Sequence, residues 1–314
     1  MKFRHILLAL MVLVGSRAWA QQIVLTPQWS AQSQFAGYYV AQEMGFYEEA
    51  GVDVVIEHSS TSDIALNRML SGRSNAITML LFDAISHISQ GVEMVNVLQT
   101  SQRSGHVIVV RDDEIKRLED LQGARVGIWR SNFNQLAELI NLDYGLNIEW
   151  ITFIQSINLY ISGAIDATMA MTYNELYWIR SSGFEHKKVI SMDEIGYDYP
   201  DEGLYVSRAF VEKYPDKARA FAEASRRGWE WAHQNPKQTL DIVLKVMERE
   251  HVPASRMHQE WMLQEVLRLQ CPKGADKPTF TLDPAQVDAL NRLLIRHGRI
   301  QKGLSVEQLQ GKSL

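Results

Sequence analysis

The chain has 314 residues, 46% of them hydrophobic and 22% charged, with 8 Pro, 19 Gly and a formal net charge of -5. Those proportions belong to a folded globular chain and exclude a disordered, collagen-like or multi-span membrane protein. A single cysteine, Cys271, excludes an internal disulfide, a multi-cysteine zinc site and a cysteine-held iron–sulfur cluster.

Met1 to Ala20 reads as a secretory signal. Lys2, Arg4 and His5 precede an apolar run from Ile6 to Val14, and Ala18-Trp19-Ala20 forms an A-x-A cleavage pattern. The run falls well short of the roughly 20 residues that cross a bilayer as a helix. A buried N-terminal helix is the structural alternative. With no Cys after the run, a lipoprotein anchor is not expected, and no later stretch approaches a membrane span. The expectation is export to a bacterial periplasm. The signal holds three of the 32 basic residues and none of the 37 acidic ones, so the remainder carries 29 against 37, a net charge of -8. That is a poor start for gripping nucleic acid or anionic lipid.

From residue 21 onward strands and helices alternate. Ile23 to Leu25 is a short buried-type strand leading to Trp29. Apolar residues at helical spacing from Phe35 to Glu49 (Phe35, Tyr39, Met44, Tyr47) predict one helix stopping at Gly51. Val52 to Ile56 is β-branched and strand-like. Hydroxyls at Ser59 to Ser62 precede a helix over Ile64 to Leu70. Met94 to Leu98, His106 to Val110, Ala124 to Ile128 and Ile165 to Met169 read as strands, with helices over Asn132 to Tyr144 and Tyr173 to Ser181. The charged stretch 111–123 predicts a solvated loop and a short helix. From about 208 the pattern is helical, with breaks at Pro215, Pro236, Pro253 and Pro272. Such alternation predicts an α/β fold with parallel sheets covered on both faces.

The two halves echo each other. Gly51-Val52-Asp53-Val54 precedes Ser71-Gly72-Arg73-Ser74-Asn75-Ala76, and Gly145-Leu146-Asn147-Ile148 precedes Ser162-Gly163-Ala164-Ile165-Asp166-Ala167. Each half has a helix ending at Gly, a strand, a second helix ending at Ser-Gly, and a strand opening at Asx-Ala. A chance match is the alternative to two lobes of like topology. Ligands of open α/β sheets sit beyond the carboxyl ends of the strands, so two facing lobes make a cleft.

The segment QWSAQSQFAGYYVAQEMGFYEEAGVDVVI (Gln28 to Ile56) resembles the opening of periplasmic substrate-binding proteins of the sulfonate and thiamine-precursor group. LEDLQGARVGIW (Leu118 to Trp129) and SGAIDATMAMTYNEL (Ser162 to Leu176) carry the likeness into the second half. The Tyr173-Asn174-Glu175 triplet is similar to the branch of thiamine-pyrimidine binders and eukaryotic pyrimidine synthases. The resemblance spans most of residues 23 to 270. It implies a two-lobed type II periplasmic-binding-protein fold, with the ligand cleft between the lobes and a helical C-terminal region. The chain would cross twice, residues 21–105 plus 205–314 forming the first lobe and 106–204 the second.

Candidate ligand contacts follow from side-chain chemistry at the strand ends. Trp29 and Tyr38 offer flat faces with polar tips to a heterocycle; the alternative is that such aromatics only pack the core. Ser60 and Thr61, ahead of a helix, could hold an anion or a polar edge, while Ser62 or Asp63 caps that helix. Asp83 and Glu175 each follow an apolar strand-like run, one in each lobe. A carboxylate there can accept paired hydrogen bonds from an aminopyrimidine, or simply favour a helix N-terminus. Trp129, Asn132, Tyr173 and Asn174 complete the set, with Asn158 behind them. Trp229, Trp231 and Trp261 lie in long helices and read as packing.

Catalysis has little support in the sequence. The nine histidines form no H-x-x-x-H pair, and there is no G-x-S-x-G elbow or phosphate-binding glycine loop. The synthases that share the resemblance use a first-lobe lysine for pyridoxal phosphate, a nearby histidine and a cysteine cluster tied to iron. This chain has no lysine between Lys2 and Lys116; Met79 and Asp83 stand where the lysine and histidine would. The expectation is a monomeric binding protein without cofactor or metal that hands a thiamine-related aminopyrimidine to an ABC permease and ATPase. A flavin or sulfonate ligand, and a sensory role toward a membrane kinase, are the alternatives.

Overall fold

A computed structural model describes residues 22–60, 62–129, 134–153 and 157–311. The predicted signal segment and the candidates Thr61 and Asn132 lie outside them. In chain order the elements are β1 (Ile23–Thr26), α1 (Ala36–Glu43), α2 (Phe46–Glu49), β2 (Val54–Ile56), α3 (Ala65–Leu70), β3 (Ala76–Leu80), α4 (Leu81–Ser89), β4 (Met94–Leu98) and β5 (His106–Val110). There follow β6 (Arg125–Trp129), α5 (Asn134–Tyr144), β7 (Glu149–Phe153), α6 (Asn158–Ile161), β8 (Ala167–Met171), α7 (Glu175–Ser181), β9 (Lys188–Ser191) and β10 (Glu202–Ser207). Helices α8 (Arg208–Lys213), α9 (Pro215–Gln234), α10 (Pro236–Arg249), α11 (Arg256–Leu269), α12 (Pro284–Arg296) and α13 (Val306–Gln310) close the chain. None of the described helices is long and apolar enough to cross a membrane.

The strands form two sheets, ordered β2-β1-β3-β10-β4 and β7-β6-β8-β5-β9. This is the two-lobed α/β architecture expected, but the sheets are mixed, not wholly parallel. β10 runs antiparallel to β3 and β4, and β5 antiparallel to β8 and β9. The reason is topological. A chain that passes directly between sheets at 99–105 and 192–201 arrives without a crossover helix, and a parallel neighbour requires one. Glu202 to Leu204, placed by the sequence reading with the second lobe, are in β10 of the first sheet.

The echo between the halves has a physical basis. Asn75 Oδ1 accepts from the Val24 amide at 2.7 Å, and Asp166 Oδ2 accepts from the Arg125 amide at 2.8 Å. In each sheet the Asx side chain caps the neighbouring strand's first free N–H, so Asx is required where β3 and β8 begin.

Local corrections follow the turn chemistry. The helix predicted from Phe35 to Glu49 is interrupted at Gly45, which has φ +75° and so separates α1 from α2. Neither Ser62 nor Asp63 caps α3, whose N-cap is Ile64. Pro215 and Pro236 start helices instead of breaking them, since a first-turn position needs no N–H. The second lobe's strand lies at 167–171, two residues later than predicted, and its helix starts at Glu175.

Helix α1 is buried on nearly every face, from Ala36 to Ala41. It is pressed against α9 at glycine contacts: a Cβ on Gly228 would sit 2.1 Å from the Gly37 carbonyl oxygen, and one on Gly37 would sit 2.1 Å from the Trp229 ring. The C-terminal helices tie both lobes together. Trp261 Nε1 donates to the Thr172 carbonyl (2.9 Å), and Asp143 of α5 takes Arg296 (3.0 Å) and His297 (2.6 Å).

Candidate functional site

The two crossing segments run side by side where the sheets meet and are laced by polar bonds. Asp201 accepts from the Gly105 amide (2.5 Å), Asp198 from the Ser104 amide (2.8 Å), and the Glu202 carbonyl takes both Ser101 N and Thr100 Oγ1 at 2.8 Å. Two adjoining pockets flank this floor and share Leu80 and Asp201 in their walls.

The first pocket, of about 350 Å³ and partly open to solvent, is lined by Gln34, Thr100, Tyr173, Glu202, Trp229 and Gln270 among others. Glu202 begins β10, and its side chain is 7% exposed. Burial pushes its carboxyl up to about 8, against the opposing pull of hydrogen bonds from Gln34 and Gln28. Both glutamine Nε2 atoms donate to the same oxygen, Oε2, at 2.6 and 2.8 Å. Tyr173 enters from the second lobe; burial holds its phenol well above the usual range, and Glu202 and Asp201 add to this.

The second pocket, of about 400 Å³, is lined by Asp83, His106, Leu136, Tyr197 and Tyr199 with their neighbours. Strand β3 ends at Leu80 and α4 starts at once, so Asp83 lies in the first helical turn. Burial raises its carboxyl to about 7, and the nearby His106 lowers it in part. Across this gap Gln135 Nε2 of the second lobe donates to Ser86 Oγ at 3.0 Å.

On the second lobe, Trp129, Asn174 and Glu175 form one unit. Glu175 Oε1 accepts from Trp129 Nε1 (3.0 Å) and Asn174 Nδ2 (2.7 Å), and Oε2 accepts from the Met171 amide (3.0 Å). Burial raises the Glu175 carboxyl and these bonds pull it back. The carboxylate is thus engaged by its own chain.

The structure disperses the remaining candidates. Tyr38 is fully buried, edge-on to Trp229 with ring centroids 5.6 Å apart. Its hydroxyl faces the Thr100 and Trp229 side chains without a hydrogen bond of good geometry. Trp29 is half-buried against the core, its carbonyl taking His58 Nδ1 at 2.8 Å. Ser60 is exposed and closes a turn by accepting from the Asp63 amide at 3.1 Å. Asp83 and Tyr173 are therefore the sequence candidates that line these pockets.

Sequence reasoning missed Glu202, Gln34, Thr100 and Gln270, and read Trp229 as packing alone. Asp201-Glu202 follows the aromatic segment Tyr197 to Pro200, and a second acidic pair at a predicted re-entry into the first lobe is the signal that could have found it. Gln270, at the end of α11, carries no such signal. Among the described residues no group of three or more His, Cys, Asp or Glu could hold a metal.

Comparison with known proteins adds to this geometry. The family model described as NMT1/THI5 like matches residues 32–239. The riboflavin-binding protein RibY of Chloroflexus aurantiacus is 25% identical over 262 residues, covering 80% of this chain and 72% of its own. A formylaminopyrimidine-binding protein of Halalkalibacterium halodurans is also 25% identical over 262 residues, covering 78% and 77%. In three dimensions the periplasmic aliphatic sulphonate binding protein SsuA of Escherichia coli superposes with a TM-score of 0.64 at 14% identity, over 92% of each chain. The fold is that of periplasmic binding proteins.

Proposed function

The chain belongs to the NMT1/THI5-like family, and from that premise we propose that it is the solute-binding component of an ABC importer. It captures a small nitrogen heterocycle in the periplasm, a thiamine-related aminopyrimidine foremost, and delivers it to a permease and its ATPase. The protein acts as a monomer without cofactor, and its work is binding and not catalysis. The two relatives named above carry names for heterocycle binding, which favours this ligand class over the sulfonate of the structural neighbour.

One observation carries the ligand reading: the floor between the lobes is acidic. Asp83, Asp201 and Glu202 line two touching pockets, and burial raises the Asp83 and Glu202 carboxyls. An anionic ligand would meet carboxyls there that turn negative as pH rises through about 7 and 8. Arg103, on the first crossing segment, is 3.6 Å from Asp198. A heterocycle bearing amino and protonated ring nitrogens offers the donors that buried carboxyls need. Glu175, whose two carboxyl oxygens are held by Trp129, Asn174 and the Met171 amide, adds a further acid on the second lobe.

Ligand that touches both lobes favours the closed arrangement over the open one by the difference in its affinity for the two. The crossing segments between Gln99 and Gly105 and between Met192 and Asp201 are the natural hinge.

The test is a binding panel on the purified protein, by calorimetry and thermal shift, with aminopyrimidines, thiamine, riboflavin and alkanesulfonates. One heterocycle should bind clearly and the sulfonates should not. Stabilisation by sulfonates alone would overturn the reading.

A further inference from the structure

We propose that His258 of α11, seated against Tyr177 and Trp178 of α7, is a catch between the lobes that holds them together at neutral pH and releases them in acid. The catch lies outside both pockets. It concerns closure itself, so it goes beyond the heterocycle reading and does not depend on the ligand.

Helix α11 belongs to the first lobe and leans on the second. Its carboxyl end is fixed at the hinge, where the Gln102 amide donates to the Leu269 carbonyl at 2.9 Å. Its amino end is fixed to the first lobe, where Ser33 donates from its amide to Gln259 Oε1 (2.7 Å) and from Oγ to the Gln259 carbonyl (2.8 Å). At about 1.5 Å per residue, His258 is roughly 16 Å from the hinge end of the helix. Rotation about the crossing segments therefore displaces it far more than Leu269. The His258 ring centroid is 4.5 Å from that of Trp178 and 5.0 Å from that of Tyr177. One turn nearer the hinge, Trp261 donates from Nε1 to the Thr172 carbonyl at 2.9 Å.

Rings of the second lobe thus cover an imidazole of the first. His258 is 6% exposed, and its Nε2 is buried with no hydrogen-bond partner among the described residues. A proton added there would meet neither an acceptor nor water, and burial pulls the imidazole from 6.5 down to about 4. The charged groups near it are engaged elsewhere or exposed. Arg180 of α7 lies over the Trp261 ring, Arg256 pairs with Asp241 of α10, and Glu260 is exposed. The turn from Ser33 to Phe35, packed on α11, brings no charge, and the Tyr177 phenol is the titratable group against the ring.

The direction follows from that burial. Above about 6.5 the imidazole is neutral whether the lobes are together or apart. Below it, a water-exposed His258 takes a proton, whereas a seated one does not until about 4, so acid favours separation. Between pH 8 and pH 5 the balance shifts toward the open arrangement by about thirty-fold.

The experiment is small-angle X-ray scattering of the purified protein without ligand, at pH 8 and pH 5, for wild type, His258→Phe and Trp178→Ala. Phe keeps a ring in the seat and carries no proton; Trp178 is 42% exposed, so its loss leaves the core intact. Wild type should be compact at pH 8 and expanded at pH 5, His258→Phe compact at both, and Trp178→Ala expanded at both. Asp83 and Glu202 titrate in all three proteins, so their effect is common to them. A wild type that is already expanded at pH 8, or that stays compact or contracts at pH 5, would overturn the proposal. So would expansion in acid of wild type and His258→Phe alike, or a Trp178→Ala protein as compact as wild type at pH 8. Should Phe not fit the seat, the His258 ring-proton titration by NMR decides: its midpoint should lie below 6.5 in wild type and return toward 6.5 in Trp178→Ala, and equal midpoints refute the catch. No ligand enters these measurements, so failure here and failure of the heterocycle reading are distinguishable.

Discussion

Replacing Glu202 by Gln should change how stability depends on pH, in a direction that its burial dictates. An unfolded glutamate titrates near 4.5, whereas in the folded protein the Glu202 carboxyl is pushed up to about 8. Below the lower value both states hold the proton and no difference arises. Between the two values the unfolded chain releases the proton and the folded chain keeps it, so stability falls as pH rises. Above about 8 both are ionised and the fall is complete. At about 1.36 kcal/mol for each pH unit of displacement, the full loss is roughly 5 kcal/mol. Gln has no proton to lose and fills the same space. Its amide oxygen can take the two bonds that Gln28 and Gln34 now give to Oε2. Asp83 titrates with the same sign, from 3.8 to about 7, but it does so in both proteins and cancels from the comparison. The assay is thermal unfolding of ligand-free wild type and Glu202→Gln from pH 5 to 9. At roughly 2–4 °C per kcal/mol for chains approaching this size, the variant should melt on the order of 10 °C above wild type at pH 9 and level with it at pH 5. A difference in melting temperature that does not grow with pH would refute the reasoning.

Other consequences are measurable in the same preparation. Binding of a hydrogen-bond-donating heterocycle favours ionised Asp83 and Glu202, so it should release protons near pH 7; calorimetry in buffers of different ionisation enthalpy reads this, and identical heats in all buffers would contradict it. Glu175→Gln should weaken ligand binding at least tenfold, about 1.4 kcal/mol. The same change places an amide NH₂ against Trp129 Nε1 or the Met171 amide, so the ligand-free protein should also lose about 1–3 kcal/mol in denaturant titration. Wild-type affinity with lowered stability would leave Glu175 a structural acceptor only. Gly228→Ala forces a Cβ onto the Gly37 carbonyl and should destabilise the protein by at least about 1–3 kcal/mol in denaturant titration, an unchanged unfolding midpoint being the contrary result.

The legibility of this protein varies with the range over which its interactions act. Strand and helix alternation, the glycine stops and the Asx-Ala echo are local. Asn75 and Asp166 each cap a neighbouring strand in a parallel pair, a need that recurs wherever that β-α-β unit recurs. Asp83 was findable because an acid directly after an apolar strand must emerge at the strand's carboxyl end. Glu175 was findable for the same reason, yet its carboxylate is met by Trp129, 46 residues earlier in the chain, and no spacing rule announces that bond.

What the sequence by itself determined was the α/β class, the two like halves and the acids and aromatics gathered at strand ends, because periodicity and capping act within a few residues. Only the tertiary structure decided that Glu202 returns to the first sheet, in β10, after the second sheet has been built, to receive Gln28 and Gln34 from the other end of that lobe. It alone set Trp229 and Gln270, from helices that read as packing, on the wall of the same pocket. The physical reason is desolvation. A carboxyl or an indole N–H becomes chemically distinctive when its surroundings exclude water, and the surroundings of Glu202 come from segments more than 160 residues apart in the chain.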